Sequence, residues 1–351
     1  MNKFVQGLGT LLVFLVLAWV GLQFYVKYRV DQALSTLPQT VAEIHYDRVS
    51  AYPWGELRFR DLSVRIDAQS FAIADARFPL VIFNHWPRNL RVQLDGIVWR
   101  DSYESGEITS IFGEIEVIGD KNAPTILGQI SIDGIRLPAE AWSLPEDETR
   151  LLNWAAGWTG IPGNGSATLK ITPTETRLAV TTELTGLYRT EQRLVTSGWK
   201  DLMKAGLASD NLTSALLLPE RIYLIEWFSR WQDLGFQQRL QELRGQQAEV
   251  AQILDRDLRR IKNAAKVMRN QRIDRADALA NAVAGTAGPY SSHEIEMRPL
   301  APVPLMQPLR ALLLWQQGEP ELLAAQAAIF GLEMRTKPLS QSVATTVANA
   351  G

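Results

Sequence analysis

Cysteine is absent from all 351 residues. That excludes disulfides, zinc–thiolate sites and thiol nucleophiles together, and it leaves the redox compartment open. An excess of either charge is also missing. The 36 basic and 38 acidic residues leave a net charge of -2, so no global field draws the chain to nucleic acid and no nucleic-acid partner is expected. Histidine is scarce. His45, His85 and His293 each fall on or beside a different expected strand with no second ligand at metal spacing. The signatures of zinc proteases, serine hydrolases, P-loops and dinucleotide folds do not occur. Two carboxylate pairs, Glu114 with Glu116 and Asp255 with Asp257, read as solvated charge. A hydrolase of envelope polymers would need one essential carboxylate, and none stands out. The expectation is a protein that is not an enzyme, with no catalytic residues, no cofactor and no metal.

Long hydrophobic runs are lacking too, with one exception. From Phe4 to Val26 there is no Asp, Glu, Lys or Arg. Such a run of about 23 residues covers a hydrocarbon core of roughly 30 Å at 1.5 Å per residue. The mean hydropathy of -0.08 is that of a soluble body. A cleaved signal peptide is the competing reading, but the run is longer than a usual signal core and ends in Gln23-Phe24-Tyr25-Val26 without a small-x-small site. One membrane crossing is therefore expected, with residues 1–3 as a cytoplasmic tip, 4–26 as the transmembrane helix and 27–40 as a stalk stopped near Pro38. Lys3 on one flank and Lys27 and Arg29 on the other leave the orientation undecided by charge.

Beyond the stalk, residues 41–218 read as a β-rich domain. Glu43–Val49, Glu56–Ile66, Ser70–Phe78, Asn89–Trp99, Gly113–Ile118 and Leu127–Leu137 are apolar runs punctuated by Pro, Gly, Asn and Asp. In three of them the alternation slips by one residue: 57, 59 then 62, 64; 90, 92, 94 then 97; 130, 132 then 135, 137. Either an extra residue, a bulge, or a bend keeps the apolar face inward, and Asp95-Gly96 and Asp133-Gly134 suit a bulge; alternatively, the Asp-Gly pairs close tight hairpins. A short helix is expected at Pro145–Gly157, and strands at Gly165–Ile171, Arg177–Leu187 and Asn211–Leu218.

Residues 219–284 read as a helical insertion. It opens on an aromatic cluster (Tyr223, Trp227, Phe228, Trp231) and continues as an amphipathic run over 237–282. Leu243, Val250, Leu254 and Ile261 lie on its near-heptad seam, a candidate surface for a partner helix. Arg259, Lys262, Lys266 and Arg269 stand among the bases opposite the seam. They read either as a solvated face or as contacts to anionic lipid headgroups, each then contributing about 1 kcal/mol. Residues 285–337 form a closing strand–helix–helix–strand element, and 338–351 a disordered tail. The fold class expected is α+β: an N-terminal transmembrane helix, then a curved, mostly antiparallel β-rich domain with a long helical insertion.

The segment His45-Tyr46-Asp47-Arg48-Val49-Ser50-Ala51-Tyr52-Pro53-Trp54-Gly55-Glu56-Leu57-Arg58-Phe59-Arg60-Asp61-Leu62-Ser63-Val64 resembles the opening of the AsmA-like and YdgA-like bacterial envelope proteins. There an aromatic-Gly turn leads into a strand and a D-L-x-V step. Leu94-Asp95-Gly96-Ile97 and Ile132-Asp133-Gly134-Ile135 are similar to their repeated strands, whereas the basic helical insertion departs from them. The resemblance implies an inner-membrane anchor, a periplasmic body and a role in envelope lipid or outer-membrane homeostasis. On that basis a curled sheet holding acyl chains is expected, with Leu57, Phe59, Leu94 and Ile132 lining its apolar face; if the face is closed, the same residues are core. Membrane lipid is the expected partner. The alternative is a scaffold that docks a protein through helix 237–282.

Overall fold

The computed structural model describes residues 23, 25–32, 43–52, 55–66, 69–79, 89–100, 105–119, 124–137, 146–156, 160–198, 222–271, 276–285, 291–317 and 319–338. Most of the expected crossing at 4–26, residues 33–40 of the stalk, the strand at Asn211–Leu218 and the tail beyond Pro338 lie outside them. Among the described residues no helix is long and apolar enough to cross a membrane. The fold is α+β, a mostly antiparallel sheet structure with several helices. It divides into two compact units, one of residues 1–116 and 130–137, the other of 117–129 and 138–351.

In the first unit the strands are β1 (Glu43–His45), β2 (Arg48–Tyr52), β3 (Glu56–Ile66), β4 (Gln69–Pro79), β5 (Asn89–Arg100), β6 (Ser105–Ile118) and β7 (Thr125–Leu137), the last two reaching across the division. Both β1 and β2 pair with β3, which leads on through β4, β5 and β6 to β7. The periodic slips are real, but they are neither hairpins nor bulges. Each strand continues through its slip, and the register is unchanged on both sides: Arg60↔Asp75 then Leu62↔Ile73, and Asp95↔Ser110 then Ile97↔Ile108. Asp61, Gly96 and Gly134 take positive φ values of 49°, 63° and 61°. A bulge is an extra residue relative to the neighbouring strand. From β3 to β6 the strands slip at one column, through Asp61, Ala74, Gly96 and Thr109, so none of these has a residue to spare, and Gly134 of β7 lies against Thr109.

The column preserves a single apolar face. Leu62, Ile73, Ala76 and Ile97 are buried there, with Phe59, Leu94, Ile108 and Ile111 packed around them. Residues from both sides of the slip meet in this one cluster. A strict period of two would have turned one set outward.

The second unit orders its strands β8 (Ile161–Ile171), β9 (Thr176–Leu184), β10 (Tyr188–Ser197), β11 (Tyr223–Asp233), β12 (Ser291–Met297) and β14 (Leu332–Pro338), with β13 (Val303–Pro304) paired to β11. Its helices are α1 (Glu146–Ala156), α2 (Phe236–Arg244), α3 (Ala248–Arg269), α4 (Ala276–Gly285), α5 (Met306–Gln316) and α6 (Glu321–Gln326). The helical insertion thus begins at Phe236, not at 219. The aromatic cluster belongs to β11, where Leu224 and Phe228 are buried and aromatic bulk suits a pleated, half-buried surface.

Two cores serve this unit. Leu224, Met297 and Leu332 from the strands pack with Met268, Val283, Leu323 and Phe330 from the helical region. Ile161, Leu184 and Leu187 pack with Leu151, Leu152, Leu240 and Val250. Burying each such side chain contributes about 1.5–3 kcal/mol. Asp233, wholly buried, starts α2: its Oδ1 accepts the Gly235 N–H at 3.4 Å and the Gln237 N–H at 3.1 Å. Gly235 makes that turn at a φ of 133°.

Candidate functional site

The apolar face of the first unit is the candidate site. Phe59 stands edge-on between Tyr46 and Phe78, with ring centroids 5.4 and 5.7 Å away. Leu57 packs beside Val49 and Ala51, and Leu94 against the Leu62 cluster. Leu57, Phe59, Leu94 and Ile132 are all half-buried. Within this unit the described helical residues are 23 and 25–32, and Val26 and Val30 among them pack with Val49, Ala51, Leu57 and Phe59 at the β2 edge of this same face. Among the described residues no other helix of this unit covers the face, and its apolar side chains Leu57, Phe59, Leu94 and Ile132 are half-buried.

The opposite face is polar and internally satisfied. Asp75 accepts from Arg58 Nε at 2.6 Å and from Arg77 at 3.0 Å. Burial pushes the Asp75 carboxyl up, but the hydrogen bonds from both guanidiniums outweigh it and hold the group below the usual carboxylate range. Glu114, one of the candidate carboxylates, is taken up by Arg91 at 2.8 Å and by Asn89 at 2.7 Å. A free general acid or base is not formed by either group.

In the second unit Asp255 pairs with Arg244 at 2.5 Å and Asp257 with Arg260 at 3.5 Å. His45 meets Glu43 at 2.9 Å, His293 is buried, and His85 lies outside the described residues. Among the described residues no group of three His, Asp or Glu is placed to hold a metal ion.

The seam residues have occupants inside the second unit. Val250 and Leu254 are buried with Ile161, Leu184 and Leu187, Leu243 packs on the same cluster, and Ile261 packs on the other core. Helix 237–282 is also three helices rather than one, broken after Arg244 and again after Arg269. These four seam residues pack within their own unit. Arg259, Lys262, Lys266 and Arg269 are exposed on α3. At 100° per residue they fall within about 80° of one another. Arg269 is paired with Asp277 at 3.4 Å.

Two hollows escaped the sequence. One, of about 140 Å³, lies between β9, β10, β11 and α5 and is lined by Leu178, Val180, Leu194, Leu224, Trp227 and Leu309 with Gln192 among the few polar groups. It is smaller than the roughly 300–1,000 Å³ of a pocket for a drug-sized ligand. The other, of about 480 Å³, is bordered by Arg298 and Arg335, whose charges are already met by Glu226, Glu296 and Glu333. Both are assembled from strands and helices distant in the chain, so no local pattern announces them.

No protein-family model matches the chain, and no curated protein sequence matches it either.

Proposed function

We propose that this chain is a non-enzymatic, membrane-anchored protein of a bacterial envelope, held in the inner membrane by residues 4–26, whose periplasmic β-rich body binds or passes lipid acyl chains. The observation that carries this reading is the single apolar face of the first unit, continuous through the slip column, with Leu57, Phe59, Leu94 and Ile132 half-buried among the described residues. Apolar area left in water costs roughly 25 cal/mol per Å², and an acyl chain laid over Leu57, Phe59, Leu94 and Ile132 removes it. The exposed bases Arg259, Lys262, Lys266 and Arg269 supply charge suited to anionic headgroups. The resemblance to AsmA-like and YdgA-like envelope proteins points the same way.

Native mass spectrometry of the detergent-purified full chain tests it. Bound phospholipid is expected, and its occupancy should fall in a Leu94→Gln, Ile132→Gln variant that keeps its unfolding midpoint. A lipid-free spectrum under conditions that preserve the fold would sink the proposal.

A further inference from the structure

The apolar hollow of about 140 Å³ in the second unit follows from how β11 is built. Its pairing with β10 runs Val195↔Glu226 and then Thr196↔Leu224, so Ile225 is an extra residue. This bulge sets Leu224 and Trp227 three residues apart on the floor of the hollow, where strict alternation would set them two apart. Leu178 and Leu194 complete the floor, paired across the strands as Leu178↔Leu194 and Leu194↔Trp227. Helix α5 lies opposite. The Leu305 N–H donates to the Ile222 carbonyl at 2.8 Å, and the fully buried Ala311 seats the helix in the core. Leu305, Pro308, Leu309 and Leu312 thereby become the other wall.

The hollow is buried at one side and reaches solvent at another. Leu224 is 1% exposed, whereas Leu309 is 45% exposed and Gln192 is exposed beside it in the lining. On α5 Leu309 stands between Met306 and Leu313, both exposed, at the i, i+3, i+7 spacing of one helix face. An exposed apolar strip therefore runs past the mouth. Of the ten lining residues only Gln192 and Trp227 carry a polar side-chain group. A charged or strongly polar ligand would lose its water there without gaining partners. A hydrocarbon has no such loss, and apolar cavities of about 150 Å³ take up benzene, a ligand of about six carbons.

We infer that this hollow is a binding site for the end of one hydrocarbon chain. About six terminal carbons lie between β9–β11 and α5, the rest of the chain follows Leu309 and Leu313, and the polar end stays in water. The site is built only from residues of the second unit, so it adds to the lipid face proposed for the first and does not rest on it. A free fatty acid and a phospholipid acyl chain present the same chemistry here.

Photolabelling of the full chain tests it. The protein is purified in cholate, whose rigid sterol body exceeds a hollow of this size, and irradiated with dodecanoic acid carrying a diazirine beside its methyl end. Peptide mass spectrometry should find the adducts on residues 178–194, 224–227 and 305–313. Val180→Phe fills the hollow and Leu309→Asp places a charge at its mouth. Each should cut these adducts about tenfold, the effect of withdrawing roughly two methylenes from burial. Leu309 is exposed, so Leu309→Asp carries the test if Val180→Phe does not fold. Phosphatidylglycerol with the same diazirine on one acyl chain is the second arm. Adducts from either probe support the proposal, and the probe that reacts identifies the source of the chain. Adducts spread evenly over the protein, or unchanged in the variants, overturn it. Adducts confined to residues 57–132 overturn it and leave the lipid face of the first unit standing.

Discussion

His293 stands on the core side of β12, 9% exposed, its ring stacked on Trp231 at 5.3 Å with its Nδ1 3.3 Å from Thr336 Oγ1. Burial lowers its pKa from 6.5 to about 4. An unfolded chain takes up the imidazole proton near the first value and the folded chain only near the second. Between them the unfolded state binds more protons, so stability present above pH 6.5 is lost as pH falls toward 4. The slope from this group is at most about 1.4 kcal/mol per pH unit. Urea unfolding at pH 7.5 and pH 5 should show the loss, and His293→Gln should flatten it; an unchanged pH dependence in the variant would place the titration elsewhere. Tyr46 is shifted in the other sense, to about 12, by burial and then by its bond to Asp31. It stays neutral throughout that range and remains a donor.

Among the elements, the slip column of the first unit makes a demand that individual strands do not. Gly134 has a φ of 61°, and a Cβ there would lie 2.1 Å from Thr109 Oγ1. Asp61 has a φ of 49° and is exposed. Gly134→Ala should therefore cost about 1–3 kcal/mol, the left-handed backbone and the crowding adding together. Asp61→Gly should change stability by less than about 0.5 kcal/mol, because relief of strain is offset by the greater freedom of glycine in the unfolded chain. Urea midpoints of the two variants decide it, and equal effects would mean that the column carries no strain. The slips themselves were visible as broken alternation in β3, β5 and β7. That they cancel was not, because register relates residues far apart in the chain. The aromatic tract of β11 is a related case. Tyr223, Trp227 and Trp231 satisfy both a helical and an alternating pattern, and pairing with β10 and β12 selects the strand.

For the whole molecule, the two units handle apolar surface differently. The second unit covers its sheet with helices, and this is where the seam of Val250 and Leu254 went. In the first, among the described residues, only the helix of 25–32 packs on the apolar face, at its β2 edge. If that face serves lipid in the periplasm, alkaline phosphatase fused after Gly351 should be active in a bacterial host, while a cytosolic reporter at the same site should be inactive. The reverse pair of results would move the body to the other side of the membrane. Lys3 on one flank against Lys27 and Arg29 on the other gave composition no means to choose.

Composition and pattern alone determined the absence of thiol chemistry, the one run long enough to cross a bilayer, the α+β class, the strand bounds of β3 and the places where alternation breaks. These are properties of residue type and of local periodicity, which act between neighbours in the chain. Only the tertiary structure decided that the breaks align into one column, that the amphipathic helices spend their seam within their own unit, and that Gln23 closes on Ala51. Each of these joins segments tens of residues apart, where the pairing energy depends on which surfaces meet and not on the pattern of either one.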